Sequence, residues 1–234
     1  YSFKPGGFIN GAGHGSDFQD GFGKYWHITT SVISVVNRFE RRLSLFPVGL
    51  DADKILYTNT YAGDYPHWLP ARKFNKPEDY FTGWMLLSYH KKAMASSTLD
   101  RFPASQAFDE NIKTHWAAQS NTKGEWLMVD LGKKSRVRAI QINFAEHAAG
   151  LYGRDPKDYH QYLIQYAKNN KKWRTLIDKS KNKTSVPHDY VELHQRIKAR
   201  YVKLKNVYVP DNNFAISGFR IFGKACVKKV KALT

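Results

Sequence analysis

The groups in this sequence that could do chemistry are a histidine among glycines, a few clustered carboxylates and a large excess of cations. His14 stands in Phe8-Ile9-Asn10-Gly11-Ala12-Gly13-His14-Gly15-Ser16. That run lacks the lysine and following helix of a phosphate-cradling loop, which argues against nucleotide binding. Asp17 and Asp20 follow closely, but Asp20 opens an Asp-Gly hairpin, where such a side chain serves the nearby backbone. Asn182-Lys183-Thr184 fits the pattern of a glycosylation acceptor. A single cysteine, Cys226, excludes an intrachain disulfide framework. The cations are unevenly spread. Residues 1–80 hold 9 Lys+Arg against 8 Asp+Glu, and residues 81–234 hold 28 against 12, so +16 of the net +17 falls in the second part. Such asymmetry points to an anionic partner, polysaccharide as readily as nucleic acid. Solvated strand faces, as at Lys203 and Lys205, are the alternative source of the charge.

The elements that must position these groups read as all-β. The 234 residues are 42% hydrophobic and 15% aromatic, enough for one large or two ordinary domains with aromatic-rich cores. No apolar run approaches the roughly 20 residues that span a bilayer, so membrane insertion is not expected. Tyr1–Gly7 lacks the charged start and apolar core of a signal peptide. After the glycine-rich stretch, strands are expected over 25–36, 41–46 and 55–61. With the strand that the Asp-Gly hairpin implies before it, these make four short antiparallel strands, one propeller blade or one end of a sandwich. Residues 71–90 read as a connector: Pro77 and its charges oppose a sheet interior, while Trp84, Met85, Leu86 and Leu87 should pack between two domains. In the second part Leu127, Val129 and Leu131 alternate with Trp126, Met128 and Asp130, the period of a half-buried strand. Further strands are expected over 137–144, 161–167, 173–177, 189–193, 201–207 and 219–222. Trp116, Trp126 and Trp173 read as core residues.

Several segments together carry a family likeness. Ala107–Thr114, Thr114-His115-Trp116, Glu125–Gly132, the Lys168–Trp173 hairpin, Ala199–Leu204 and Ile216–Gly223 resemble a discoidin domain, the coagulation factor 5/8 C-terminal type, also known as carbohydrate-binding module family 32. The resemblance covers residues 91–224 and implies an eight-stranded jelly-roll sandwich. Residues 225–234 read as a linker or the start of a further domain. Relatives hold a structural calcium ion in the loop that matches Ala107–Thr114, where Asp109, Asn111 and Thr114 keep the hard oxygens calcium prefers. Glu110 replaces a glycine of that pattern, and Gly218 stands where a late acidic ligand would be. An Asx turn that orders the loop through its own hydrogen bonds is the alternative. Sugars bind this family at the loops of one end, which here are 99–106, 145–159 and 207–214. His147, Tyr152, Arg154, Asn213 and Phe214 are the residues these loops offer, Phe214 for stacking and Arg154 for a uronate carboxylate.

Residues 11–70 resemble the closing blade of a five-bladed propeller of glycoside hydrolase family 43. In that family a Gly-His-Gly segment sets a histidine on the propeller axis, and His14 matches it. The family inverts configuration with carboxylates supplied by earlier blades, and Asp17 and Asp20 are no substitutes for them. The resemblance therefore implies an all-β chain, a partial β-propeller blade over 1–70 followed by a β-sandwich. It implies the C-terminal part of a secreted, periplasmic or cell-surface glycan-degrading enzyme, without its catalytic carboxylates, whose partners are a glycan and the remaining blades. A non-catalytic carbohydrate-binding protein is the alternative, and nucleic acid is not the expected partner.

Overall fold

The computed structural model describes residues 8, 10–33, 41–58, 65–69, 71–73, 83–148, 155 and 157–225. Two sheets account for them. The first is an antiparallel meander in the order β1 (Asn10–Gln19), β2 (Tyr25–Val32), β3 (Arg41–Leu50) and β4 (Leu56–Thr58). The glycine-rich stretch is thus a strand, and its pairing with β2 slips between Gly13 and Ser16. His14 sits in that bulge, exposed and in the left-handed region at φ 52°. The Asp20 turn behaves as its sequence predicts: Oδ1 accepts the Phe22 and Lys24 N–H groups, and Oδ2 accepts the Trp26 indole N–H.

The second sheet contains β5 (Met85–Leu86), β6 (Lys92–Ala95), β7 (Trp116–Ala117), β8 (Trp126–Phe144), β9 (Gln161–Ala167), β10 (Arg174–Asp178), β11 (His188–Tyr208) and β12 (Ala215–Ala225). Its order is β10-β9-β11-β8-β12-β5, with β6 on β8 and β7 on β12. Pairs of strands expected separately have fused. The 126–131 and 137–144 segments are one strand, β8, although its pairing with β11 skips from Asp130↔Tyr201 to Ser135↔Ala199 across Leu131-Gly132-Lys133-Lys134. Gly132 turns the chain there at φ 77°, a conformation that suits a residue without Cβ. β11 likewise joins the expected 189–193 and 201–207 strands through irregular register between Glu192 and Ile197.

The apolar faces of these long strands make the core. Leu127, Val129, Ile140, Ile142, Phe144, Val202, Leu204, Phe219 and Ile221 are buried together with Trp116 and Tyr162. Each large apolar side chain so buried contributes about 1.5–3 kcal/mol. Trp116 is fully buried, as its sequence context predicts. Trp126 and Trp173 are not core residues: both are partly exposed, and they flank the Lys203 ammonium at 4.9 and 3.9 Å. An ammonium over an aromatic face is a favourable arrangement at a half-exposed surface, which strand position alone does not reveal.

The N-terminal part and the connector pack on this sheet. Tyr65 meets Phe222 edge-on at 5.8 Å, and Trp84 joins both in a small buried cluster. His67 stacks on Trp26 of the first sheet at 6.2 Å. The Phe8 ring lies over the Arg220 guanidinium at 3.8 Å. A Cβ at Gly218 would come within 2.8 Å of that same ring, so glycine there follows from the close approach of Phe8.

Candidate functional site

Both halves of β8 and β11 return to one end of the second sheet, where short backbone bonds knit the loops together. Leu99 N–H donates to Ala117 O at 2.8 Å, Ala118 N–H to Phe214 O at 2.8 Å and Ala145 N–H to Ala215 O at 2.9 Å. Phe144 packs on His160 at 3.9 Å and on Tyr162 at 5.7 Å, at the start of β9.

At this end His147 meets His115, Nδ1 to Nε2 at 3.0 Å. The Phe102 ring lies 4.5 Å from the His115 ring and 4.8 Å from that of His147. Burial lowers the His115 pKa from 6.5 to about 4, with the nearby His147 adding to the shift. Burial also lowers that of His147. Both rings are therefore neutral at pH 7. Whichever ring donates the shared proton, the pair keeps one N–H and one bare nitrogen for other partners. A neutral donor and acceptor beside an aromatic ring is the combination a sugar hydroxyl and ring face require. A second aromatic pair lies at the same end, Tyr159 and Tyr208, whose rings are 5.0 Å apart, with Tyr208 41% exposed.

The sequence-predicted residues fall in four different settings. His147 is in the cluster. Asn213 is at the same end, but its amide donates to Ala118 O at 2.9 Å and so holds the loop. Phe214 is misplaced as a stacking residue. It is fully buried, edge-on to Trp116 at 5.3 Å, and cannot meet a ligand without opening the core. Tyr152 and Arg154 lie outside the described residues. Phe102, His115 and Tyr208 are the residues sequence reasoning missed. Phe102 lies within the expected loop 99–106.

Asp109, Asn111 and Thr114 do come together, as a self-contained turn. Asp109 Oδ1 accepts the Asn111 N–H at 2.9 Å, and Oδ2 accepts the Thr114 hydroxyl at 2.7 Å. Asn111 Oδ1 accepts the Lys113 N–H at 3.1 Å. The neighbouring carboxylate, Glu110, is held by Arg220 through Oε1 at 3.0 Å and Oε2 at 2.8 Å. A calcium ion takes six to eight oxygens. One carboxylate with both oxygens engaged, beside a buried guanidinium, does not fit that shell, and no group of three or more His, Cys, Asp or Glu side chains placed to hold a metal occurs among the described residues. Asn182 is also occupied: its amide donates to His160 O and Thr184 O, at 3.0 and 2.8 Å.

With this geometry in view, residues 92–217 match the F5/8 type C domain. The chain belongs to the F5/8 type C domain family. A solved structure of a mutant chitosan-binding module, from the chitosanase/glucanase of Paenibacillus sp. IK-5, is 23% identical with a TM-score of 0.50, over 60% of this chain and 99% of that one. A family 89 glycoside hydrolase from Clostridium perfringens is 17% identical with a TM-score of 0.50, over 64% of this chain and 16% of that one. These likenesses establish the F5/8 type C sandwich. A search of curated proteins finds no match.

Proposed function

We propose that the F5/8 type C sandwich binds carbohydrate at its loop end, as a module that targets a secreted or cell-surface glycan-degrading enzyme to its polymer. The observation that carries this reading is the Phe102 ring held against the neutral His115–His147 pair. Tyr208 supplies an exposed face for stacking, and Tyr152 and Arg154 extend the same loop in sequence. The solved relatives named above, a chitosan-binding module and a glycoside hydrolase, support a glycan ligand. In the same proposal β1–β4 is the last blade of a family 43-like propeller, with His14 aimed by its bulge toward the axis. The meander order and the left-handed conformation of His14 support that part. A single module of this kind binds weakly by itself and gains retention through tethering to its enzyme.

Titration calorimetry against galactose, N-acetylglucosamine and chitosan oligosaccharides tests the reading. His147→Ala, at a half-buried position, should weaken the best ligand about tenfold, and Tyr208→Ala by a smaller factor. Affinity unchanged in the double variant would overturn the assignment of this end.

A further inference from the structure

Away from the loops, the sheet gathers cations that its own acids leave unmatched. Arg136 on β8 stands directly opposite Lys198 on β11 and directly opposite Lys224 on β12. Directly opposed side chains on antiparallel strands lie with their Cβ atoms about 4.5–5.5 Å apart, and like charges placed so are destabilising. Two breaks in register lie beside this row. Against β12, the pairing runs from Ala139↔Phe222 to Val137↔Gly223, which leaves Arg138 as the extra residue. Against β11, it slips between Glu192 and Ile197, the stretch that carries Arg196. Such bulges re-aim side chains. Here Arg138 and Arg196 join Arg136, Lys224 and Trp84 around an open pocket of about 220 Å³.

The Arg138 guanidinium lies 5.3 Å from the centre of the Trp84 ring, which holds its plane. The acid that faces it among the described residues, Glu192, is 3.8 Å away, beyond hydrogen-bond range. Its Nε–H is buried with no acceptor among the described residues. Among the described residues, the row and the pocket therefore bring together three arginines and two lysines against one distant carboxylate. Arg136 is eight residues from Phe144, roughly 26 Å along an extended strand, so this pocket is separate from the loop end.

We propose that this pocket is a second ligand site, which takes the carboxylate or sulfate of an anionic saccharide unit. An oxyanion would fit the planar fork of Arg138 and relieve the Lys198–Arg136–Lys224 row. The volume is below the roughly 300–1,000 Å³ of pockets that enclose a larger ligand, and it suits one charged group or one ring. Nucleic acid is the less suitable polyanion. It requires a groove with successive exposed aromatic faces, whereas Trp84 is 9% exposed and faces Arg138.

The test uses the whole chain and the surface variant Arg136→Gln/Lys224→Gln. Probes are a hexuronate and a sulfated tetrasaccharide, their neutral counterparts, inorganic sulfate and an oligothymidylate. The wild-type chain should bind the charged tetrasaccharides, more weakly as salt rises, and the variant should lose about tenfold or more in affinity. Without ligand, the variant should melt about 1–4 °C higher, because the opposed charges are gone. The part of the charged-tetrasaccharide affinity that Arg136→Gln/Lys224→Gln removes should be removed equally in a His147→Ala background, so failure of the loop-end reading and failure of this one are separable. Affinity within twofold of wild type in the double variant would overturn the site. Equal binding of inorganic sulfate, or tighter binding of the oligothymidylate, would overturn the saccharide as its occupant.

Discussion

Arg220 and Arg138 lie on neighbouring strands of one sheet, each with its guanidinium against an aromatic ring, and their surroundings differ in kind. Arg220 is 2% exposed, faces Phe8 and donates to both oxygens of Glu110 and to Gln141 Oε1 at 2.8 Å. Arg138 faces Trp84, has Glu192 only at 3.8 Å and shares its pocket with other cations. The first arrangement satisfies a buried charge inside the fold, which makes it architecture. The second leaves charge at an open pocket, where an external anion can complete it. Burial and partner geometry, more than residue type, separate a structural arginine from a binding one.

Removing one acid from each region should widen that contrast. Glu110→Gln strands the Arg220 charge in the interior, where breaking one side of a buried pair costs about 3–5 kcal/mol. Glu192→Gln removes a long contact at a half-exposed arginine and should cost less than about 1 kcal/mol. Urea unfolding of the two variants measures both. Equal losses would mean that Arg220 and Arg138 do the same work and that the distinction is false.

The loop end supplies a third environment, where buried polar groups stay neutral. His115 has a folded pKa of about 4 against 6.5 unfolded, so between these values the unfolded chain binds more protons. Stability should therefore be highest above pH 6.5 and fall as pH drops toward 4. His115 contributes at most about 3 kcal/mol of that fall. The same measurement in His115→Gln isolates the term. A variant with the same slope between pH 6.5 and 4 would place the titration elsewhere.

Strand positions were legible because apolar alternation is local. Ile140, Ile142 and Phe144 are buried as a face, and β9 covers the expected 161–167. The fusion of strands into β8 and β11 was not legible, since the strand runs on through Leu131–Lys134, unpaired with β11, and through the register slip at 192–197, which no local alternation marks. The loop end was located by likeness to a family, but its residues were only partly found. Phe214 carries the right chemistry, and nothing local reveals that its ring points into the core. His115 and His147 are 32 residues apart, and no spacing rule joins them. The cationic row was visible only as a net charge. Its opposition of Arg136 to Lys198 and Lys224 depends on register across three strands.

The smallest expected effect is none, and it bears on the Arg220 side of the comparison. The loop matching the family's calcium pattern has turned inward: Asp109 is bonded to Asn111 and Thr114, and the Glu110 carboxylate holds Arg220. A guanidinium thus supplies the positive charge beside this loop. In that arrangement a calcium ion would have to displace the turn's own hydrogen bonds and meet the Arg220 charge, so little mass-action stabilisation should follow. Melting temperatures in EDTA and in millimolar calcium should agree within about 1 °C, whereas an ion at one hundred times its dissociation constant adds about 2.7 kcal/mol, or roughly 5–10 °C for a domain of this size. A rise of that order, abolished by Asp109→Ala, would show that the turn opens to a metal and that Arg220 is not its substitute. A rise that survives Asp109→Ala would place the ion elsewhere and leave the Glu110–Arg220 pair as the tie that holds this loop to β12.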